Sequence, residues 1–214
     1  MANPPNYANE MAGILARLAP AGGQARPRLL LHACCGPCSS AVLEQLAACF
    51  DITILYYNPN IWPRQEYRRR ADELARFVAA LGLANVQLAE DEYDPAAFYA
   101  AAAGLEAEPE RGARCTACYR LRMERAAARA AREGFDWFCT TLSISPHKDA
   151  VRINAIGRQL EAQYGVRHLP NDFKKKNGYK RSLELSAQYG LYRQDYCGCR
   201  FSAGARQTAE QEQP

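Results

Sequence analysis

Short, wholly apolar runs alternate with amphipathic segments along this chain, and that alternation constrains its fold more than any other feature. Arg28–Ala33 (RLLLHA) is an apolar run that meets a Gly/Pro loop, the pattern of a strand buried on both faces. Asp51–Tyr57 is rich in β-branched and aromatic residues and reads as a second strand. Asn85–Leu88 and Trp137–Leu142 supply a third and a fourth. The spacing predicts helices over Ser39–Ala48, Gln65–Leu81, near Pro95–Ala103, over Cys115–Glu133 with Gly134 as its stop, and over Lys148–Tyr164. Gln65–Leu81 shows the reason: Tyr67, Leu74, Phe77, Val78 and Leu81 share one face, and Glu66–Arg70 and Asp72–Arg76 pair on the outside. Strand and helix in turn imply an α/β fold, a parallel sheet with flanking helices and right-handed crossovers. In such sheets ligands meet the carboxyl ends of the strands. Three unusual segments start there: CCGPC after the first strand, YNPNIW after the second and SISPHK after the fourth.

Residues 1–27, rich in Ala, Pro and Gly, read as a flexible lead-in with a short helix at Glu10–Leu18. Residues 28–202 read as a single α/β catalytic domain and 203–214 as a disordered polar tail. No run of about 18 apolar residues is present, so no membrane partner is expected. The N-terminus lacks a basic start and a long apolar core, so a cytoplasmic location is expected. With 27 basic and 23 acidic residues the net charge of +4 argues little, but its distribution is uneven. Residues 87–110 carry acids with no Lys or Arg, whereas 166–200 hold eight basic residues against three acids. A polyanion can dock on the second stretch.

Nine cysteines are present, seven of them in three tight groups. Without a secretory leader, such clusters suggest metal or redox chemistry rather than disulfide staples. The first group, Cys34, Cys35 and Cys38, lies in a Gly36-Pro37 turn before a helix N-terminus, where amide donors lower a thiol pKa. The bland alternative is a tight turn of small buried residues. Cys115 and Cys118 form a C-x-x-C pair, which serves metals, clusters and dithiol redox sites alike. Cys197 and Cys199 flank one glycine and can close a strained disulfide or ligate a metal. Thiolates suit zinc and iron. More grouped thiols than one zinc needs, and no histidine beside the last two groups, tilt the choice to iron–sulfur. Cys49 and Cys139 sit in apolar contexts and read as packing residues.

HACCGPCSS, YYNPNIWP-x-x-EY, RCTACYRLR, FCTTLSISPHKD, FKKKNGYKRS and LYRQDYCGCRFS, in this order, resemble the cobalamin-independent epoxyqueuosine reductase family from about residue 28 to 202. The resemblance implies a nucleotide-hydrolase-like (PP-loop-like) three-layer fold. It also implies reduction of the epoxide of epoxyqueuosine to the alkene of queuosine at the wobble position of tRNA, with an external electron donor. Cys34, Cys35, Cys115 and Cys118 match the family's [4Fe-4S] ligands. Cys197 and Cys199 match a redox-active pair. Cys38 falls where a further metal ligand sits, which implies an additional iron near Cys38, Cys197 and Cys199.

Removing an epoxide oxygen as water takes two electrons and two protons. No G-x-G-x-x-G fingerprint points to a bound nicotinamide. A cluster passes electrons singly, so the Cys197–Cys199 dithiol or an iron beside it is needed as second carrier. Asp195, Tyr179 and His147 are the candidate proton donors by motif position, each with a local packing or capping alternative. A splayed base is held by stacking and by cations on phosphate. Tyr57 and Trp62 are candidates to stack, Asn58 and Asn60 to offer amide edges, and Lys174, Lys175, Lys176, Lys180 and Arg181 to form a phosphate patch; one of Tyr56 and Tyr57 faces the core by strand alternation. Two competing readings share some of these features. A PP-loop-type tRNA sulfurtransferase would carry a Ser-Gly-Gly-x-Asp-Ser-like loop where this chain has CCGPCSS. A zinc-stabilised RNA-binding protein would be colourless.

Overall fold

The computed structural model describes residues 5–18 and 25–203. Five parallel strands form one sheet in the order β3-β2-β1-β4-β5. They are β1 Arg28–Ala33, β2 Asp51–Tyr56, β3 Val86–Glu90, β4 Trp137–Thr140 and β5 Arg167–His168. The helices are α1 Tyr7–Leu18, α2 Gly36–Leu46, α3 Arg64–Leu81, α4 Pro95–Ala102, α5 Ala113–Arg132, α6 Ala150–Tyr164 and α7 Gly178–Gln188.

Side-chain alternation along the strands builds two cores, one on each face of the sheet. Leu29, Leu31, Ile52, Ile54 and Tyr56 point to the side covered by α2, α3 and α7. Leu30, Leu55 and Phe138 point to the side covered by α5 and α6. The result is the three-layer α/β arrangement expected, and it is consistent with a nucleotide-hydrolase-like fold. Among the described residues no helix is long and apolar enough to cross a membrane.

Several boundaries differ from the sequence reading. Helix α2 begins at Gly36, because Pro37 is tolerated in a first turn, so Cys38 is helical rather than in a loop. Strand β4 stops at Thr140, whose side chain accepts from Leu142 N at 3.2 Å and starts a 3-10 turn over Thr141–Ile144. Helix α6 starts after Asp149, whose carboxylate caps Val151 and Arg152. Strand β5 and helix α7 are additions to the elements that the sequence predicts. The segment before β1 is not simply loose: α1 starts at Tyr7, buries Met11 in the core beside α2, and ties Glu10 to Arg158 at 2.9 Å. The rest of that expectation, residues 1–4 and 19–24, lies outside the described residues, as does the tail from 204 onward.

The strand order reverses between β1 and β4. Chain connections leave β1 toward β2 on one side and enter β4 on the other, which opens a crevice at their carboxyl ends. Cys34 and Cys35 follow β1 there, and Thr141 follows β4.

Candidate active site

A cavity of about 410 Å³ opens at this switch point. Its wall includes Cys34, Cys38, Asn60, Arg122, Lys148 and Cys197, so two of the three thiol groups meet in one chamber. Its size suits one base-sized ligand. Tyr179, Asp195 and His147, the three candidate proton donors, also line it.

The sulfurs of Cys34, Cys35 and Cys38 lie within 4.8 Å of one another, the one set of three such donors close enough for a metal among the described residues. Cys34 and Cys35 are 3.9 Å apart, and Gln194 Nε2 donates to Cys35 at 3.2 Å. Cys35 precedes the first turn of α2, so the group stands on unpaired amides at the positive end of a helix. Hydrogen bonds from Cys35 and Cys38 hold the Cys34 thiol well below its usual range. Bonding to Cys34 pushes Cys35 up to about 12, and bonding to both neighbours pushes Cys38 up. Such a set shares one negative charge among three sulfurs. The pattern therefore fits a thiolate-bound metal.

The second pair arrives on α5. Cys118 is buried 4.0 Å from a guanidinium nitrogen of Arg122. Cys115 sits one turn earlier, accepts from Arg111 N at 3.2 Å, and packs against the core beneath. Cys118 and Cys199 share a small apolar cluster with Phe98 and Ala102. Neither Cys115 nor Cys118 is on the chamber wall or in the close set of Cys34, Cys35 and Cys38; Cys118 reaches the chamber only through Arg122, which lines it. Cys38 stands with Cys34 and Cys35. It does not gather with Cys197 and Cys199 into the separate three-thiol set that an additional iron there would want.

Two guanidiniums are buried against these sulfurs. Arg122 donates through Nε to His32 Nε2 at 3.3 Å and through a terminal nitrogen to Asn58 Oδ1 at 2.6 Å. His32 is fully buried, with Nδ1 2.8 Å from Thr140 Oγ1; burial, and then the Arg122 charge, push it down to about 3, so it is neutral. On the other wall Arg70 pairs with Glu66 at 2.7 Å and reaches the Cys197 carbonyl at 3.3 Å. Gly198, at φ +110, is needed here: a Cβ would come within 2.8 Å of Arg70.

The expected substrate residues divide. Asn60 is buried, lines the chamber, and has neither amide atom hydrogen-bonded. Asn58 is fully buried and spent: Nδ2 donates to Ala33 O at 2.9 Å, and Oδ1 accepts from Arg122. It therefore offers no amide edge to a ligand. Both Tyr56 and Tyr57 are buried, on opposite cores, because consecutive strand residues point to opposite faces. Tyr57 is accordingly not placed to stack on a base in the chamber. Trp62 is 44% exposed, with its backbone held by Gly198 and Tyr196. In the basic stretch Lys174 pairs with Asp172, and Arg181 with Glu44 and Glu184. Lys175, Lys176 and Lys180 are exposed and carry no ion pair among the described residues.

The family model of epoxyqueuosine reductase QueH matches residues 29–205. The chain belongs to this family. Proteins named epoxyqueuosine reductase QueH from Streptococcus pyogenes and Staphylococcus epidermidis are 44% and 45% identical to it over 83% of its length. The match covers 71% and 77% of those proteins. The Thermotoga maritima member is 34% identical over 81% of this chain and 89% of its own.

Sequence reasoning missed Arg122 and Lys148 and put the Glu66–Arg70 pair on the outside of α3, where the structure buries it; Arg76 pairs with Glu73 rather than Asp72. Arg122 carried a faint signal, since it stands one helical turn beyond Cys118 and so on the same face. Lys148 Nζ lies 2.7 Å from Cys197 Sγ. It adjoins His147, and nothing in its local pattern distinguished it from a surface lysine.

Proposed function

We propose that this chain is an epoxyqueuosine reductase acting on tRNA. The observation that carries this reading, beside family membership, is the meeting of Cys34, Cys38 and Cys197 around one base-sized cavity at the switch point. Cys34, Cys35, Cys115 and Cys118 are the residues that would hold a [4Fe-4S] cluster. The fit rests on thiols from two helix N-terminal turns and on the buried Arg122 and Arg70, whose charge suits an anionic sulfur centre. When bound, that group passes single electrons from an external donor.

The chain's own residues do the rest. Cys197 and Cys199 act as the dithiol, with Cys197 on the chamber wall and Cys199 buried beside Cys118. In the overall change both thiol hydrogens and two electrons leave the sulfurs, a sulfur–sulfur bond forms, both epoxide C–O bonds break, and the oxygen departs as water. Asn60 binds substrate: a buried amide with two unpaired edges is costly until a ligand satisfies it. Asp195 and Tyr179 border the same space and orient the modified base. Trp62 and the exposed lysines Lys175, Lys176 and Lys180 hold the surrounding anticodon loop by stacking and charge. The protein would work in the cytoplasm, where its tRNA is.

The test is direct. Protein purified without oxygen, supplied with a reductant and tRNA carrying epoxyqueuosine, should convert that nucleoside to one lighter by an oxygen atom, as read by mass spectrometry of the digested tRNA. Unchanged nucleoside from brown, iron-loaded protein would sink the reading.

A further inference from the structure

Lys148 is the group in the chamber that neither the sequence motifs nor the thiol chemistry above employs. It follows the 3-10 turn after β4, and its side chain reaches inward to place Nζ 2.7 Å from Cys197 Sγ. The Tyr119 ring centre lies 5.7 Å from the same nitrogen. Burial works against the ammonium, but the Cys197 sulfur and the Tyr119 phenol more than offset it and hold Lys148 above the usual lysine range.

An ammonium has three N–H donors. Among the described residues the one hydrogen bond that Nζ makes is that to Cys197. With one sulfur acceptor, the ammonium still has N–H donors that this bond does not use. The remaining donors lie beside the cavity, next to the sulfur that meets substrate. His147 and Asp195, by contrast, are exposed at the rim, and the Tyr179 phenol is on α7.

We propose that Lys148 is the acid of this site: its ammonium meets the oxygen of the opening epoxide and hands it the first proton. This rests on the reductase reading. The attacking form of the pair is Lys148 ammonium with Cys197 thiolate, which is an amine and a thiol with the proton moved to nitrogen. As the sulfur of Cys197 bonds to one epoxide carbon, the C–O bond there breaks and its electron pair stays on oxygen. Lys148 protonates that oxygen to a hydroxyl and becomes neutral. The Cys199 sulfur then bonds to the Cys197 sulfur. The C–S bond breaks, its electron pair forms the alkene, and the hydroxyl leaves with the Cys199 proton as water. Two thiols and one epoxide become a disulfide, an alkene and water, with no other oxidant or reductant. Cys197 and Lys148 thus deliver electrons and proton to adjacent atoms of one small ring, which explains why they are held so close together.

The experiment uses metal-loaded protein prepared without oxygen and tRNA carrying epoxyqueuosine, in a single turnover. Lys148→Met is expected to slow conversion by on the order of 10²–10⁴-fold, the usual contribution of a positioned acid. Its visible absorbance and tRNA binding should match the wild type. Lys148→Ala is expected to regain rate when methylamine is added and not when tetramethylammonium, a cation without N–H, is added. Wild-type speed in Lys148→Met, loss of its metal absorbance, equal recovery with both cations, or no recovery with either overturns the proposal. A wild-type protein that leaves the epoxide intact overturns the reductase reading instead.

Discussion

The two walls of the chamber treat buried charge in opposite ways. On the α3 wall, Arg70 is closed by a carboxylate: Glu66 accepts from it at 2.7 Å and in turn accepts from the Tyr192 hydroxyl at 3.1 Å. On the α5 wall, Arg122 has only neutral partners, His32 and Asn58, and the sulfurs of the site beyond them. Burial penalises its charge, and its place beside the Cys118 and Cys34 sulfurs favours it. The first wall carries its own carboxylate, although Arg70 keeps one terminal nitrogen unpaired and also feels Cys35 and Cys34, whereas the second has no carboxylate and faces only the cysteines. A buried cation without a carboxylate is expensive. Beside the thiols, it gives the α5 wall a positive charge that an anionic sulfur centre would balance.

This contrast can be broken at its source. Cys34→Ser removes the sulfur that carries the shared charge, so we expect loss of both visible iron–sulfur absorbance and turnover, measured on protein purified without oxygen. A variant that keeps full absorbance would show that Cys34 is no ligand. The two arginines come next. Arg70→Met strands the buried Glu66 and should cost about 3–5 kcal/mol in denaturant unfolding of metal-free protein. Arg122→Met leaves only the Asn58 side-chain oxygen without its donor, since His32 keeps Thr140 and the Tyr57 carbonyl, and should cost about 1–3 kcal/mol. Equal losses would mean that the walls are energetically alike.

Another buried base lies away from both walls and sharpens the comparison. His168, on β5, is fully buried with neither ring nitrogen hydrogen-bonded, and burial pushes it down to about 3. Gly157 leaves room for its ring, since a Cβ at that position would collide with the imidazole. The folded state keeps His168 neutral while the unfolded chain takes up a proton near pH 6.5. Stability is therefore retained above about pH 6.5 and falls as pH drops below it, by about 2 kcal/mol from this residue at about pH 5. Unfolding curves for His168→Gln that follow the same pH slope as wild type would contradict this. The smallest effects belong to the surface, where the same distinction holds. Replacing Lys175 and Lys176 with Ala should weaken tRNA binding and flatten its salt slope by roughly one unit for each phosphate no longer neutralised. Replacing Lys174, already paired with Asp172, should do less. A fluorescence titration at several salt concentrations distinguishes them.

Much of the fold was legible because its signals are local. The apolar run at Arg28–Ala33 and the β-branched run at Asp51–Tyr56 announce strands, and α3 announces itself through one apolar face. Strand β5 is two residues long, too short for any period, and α7 lies in a basic stretch that reads equally well as a solvated surface. Which sulfurs group together was legible only within each motif. That Cys38 belongs with Cys34 and Cys35 depends on the helix starting at Gly36 rather than at Ser39.

By itself the amino-acid order determined the α/β class, the family, and the three places where thiols concentrate, since each is written in a contiguous run of residues. Only the tertiary structure decided how the five strands are ordered and that Lys148 faces Cys197, 49 positions away in the chain. It also decided that Asn58 is consumed by the scaffold while Asn60 is left open. The physical reason is common to all three. A side chain's partners are set by which elements pack together, and its free hydrogen-bonding capacity is what remains once those partners have been served.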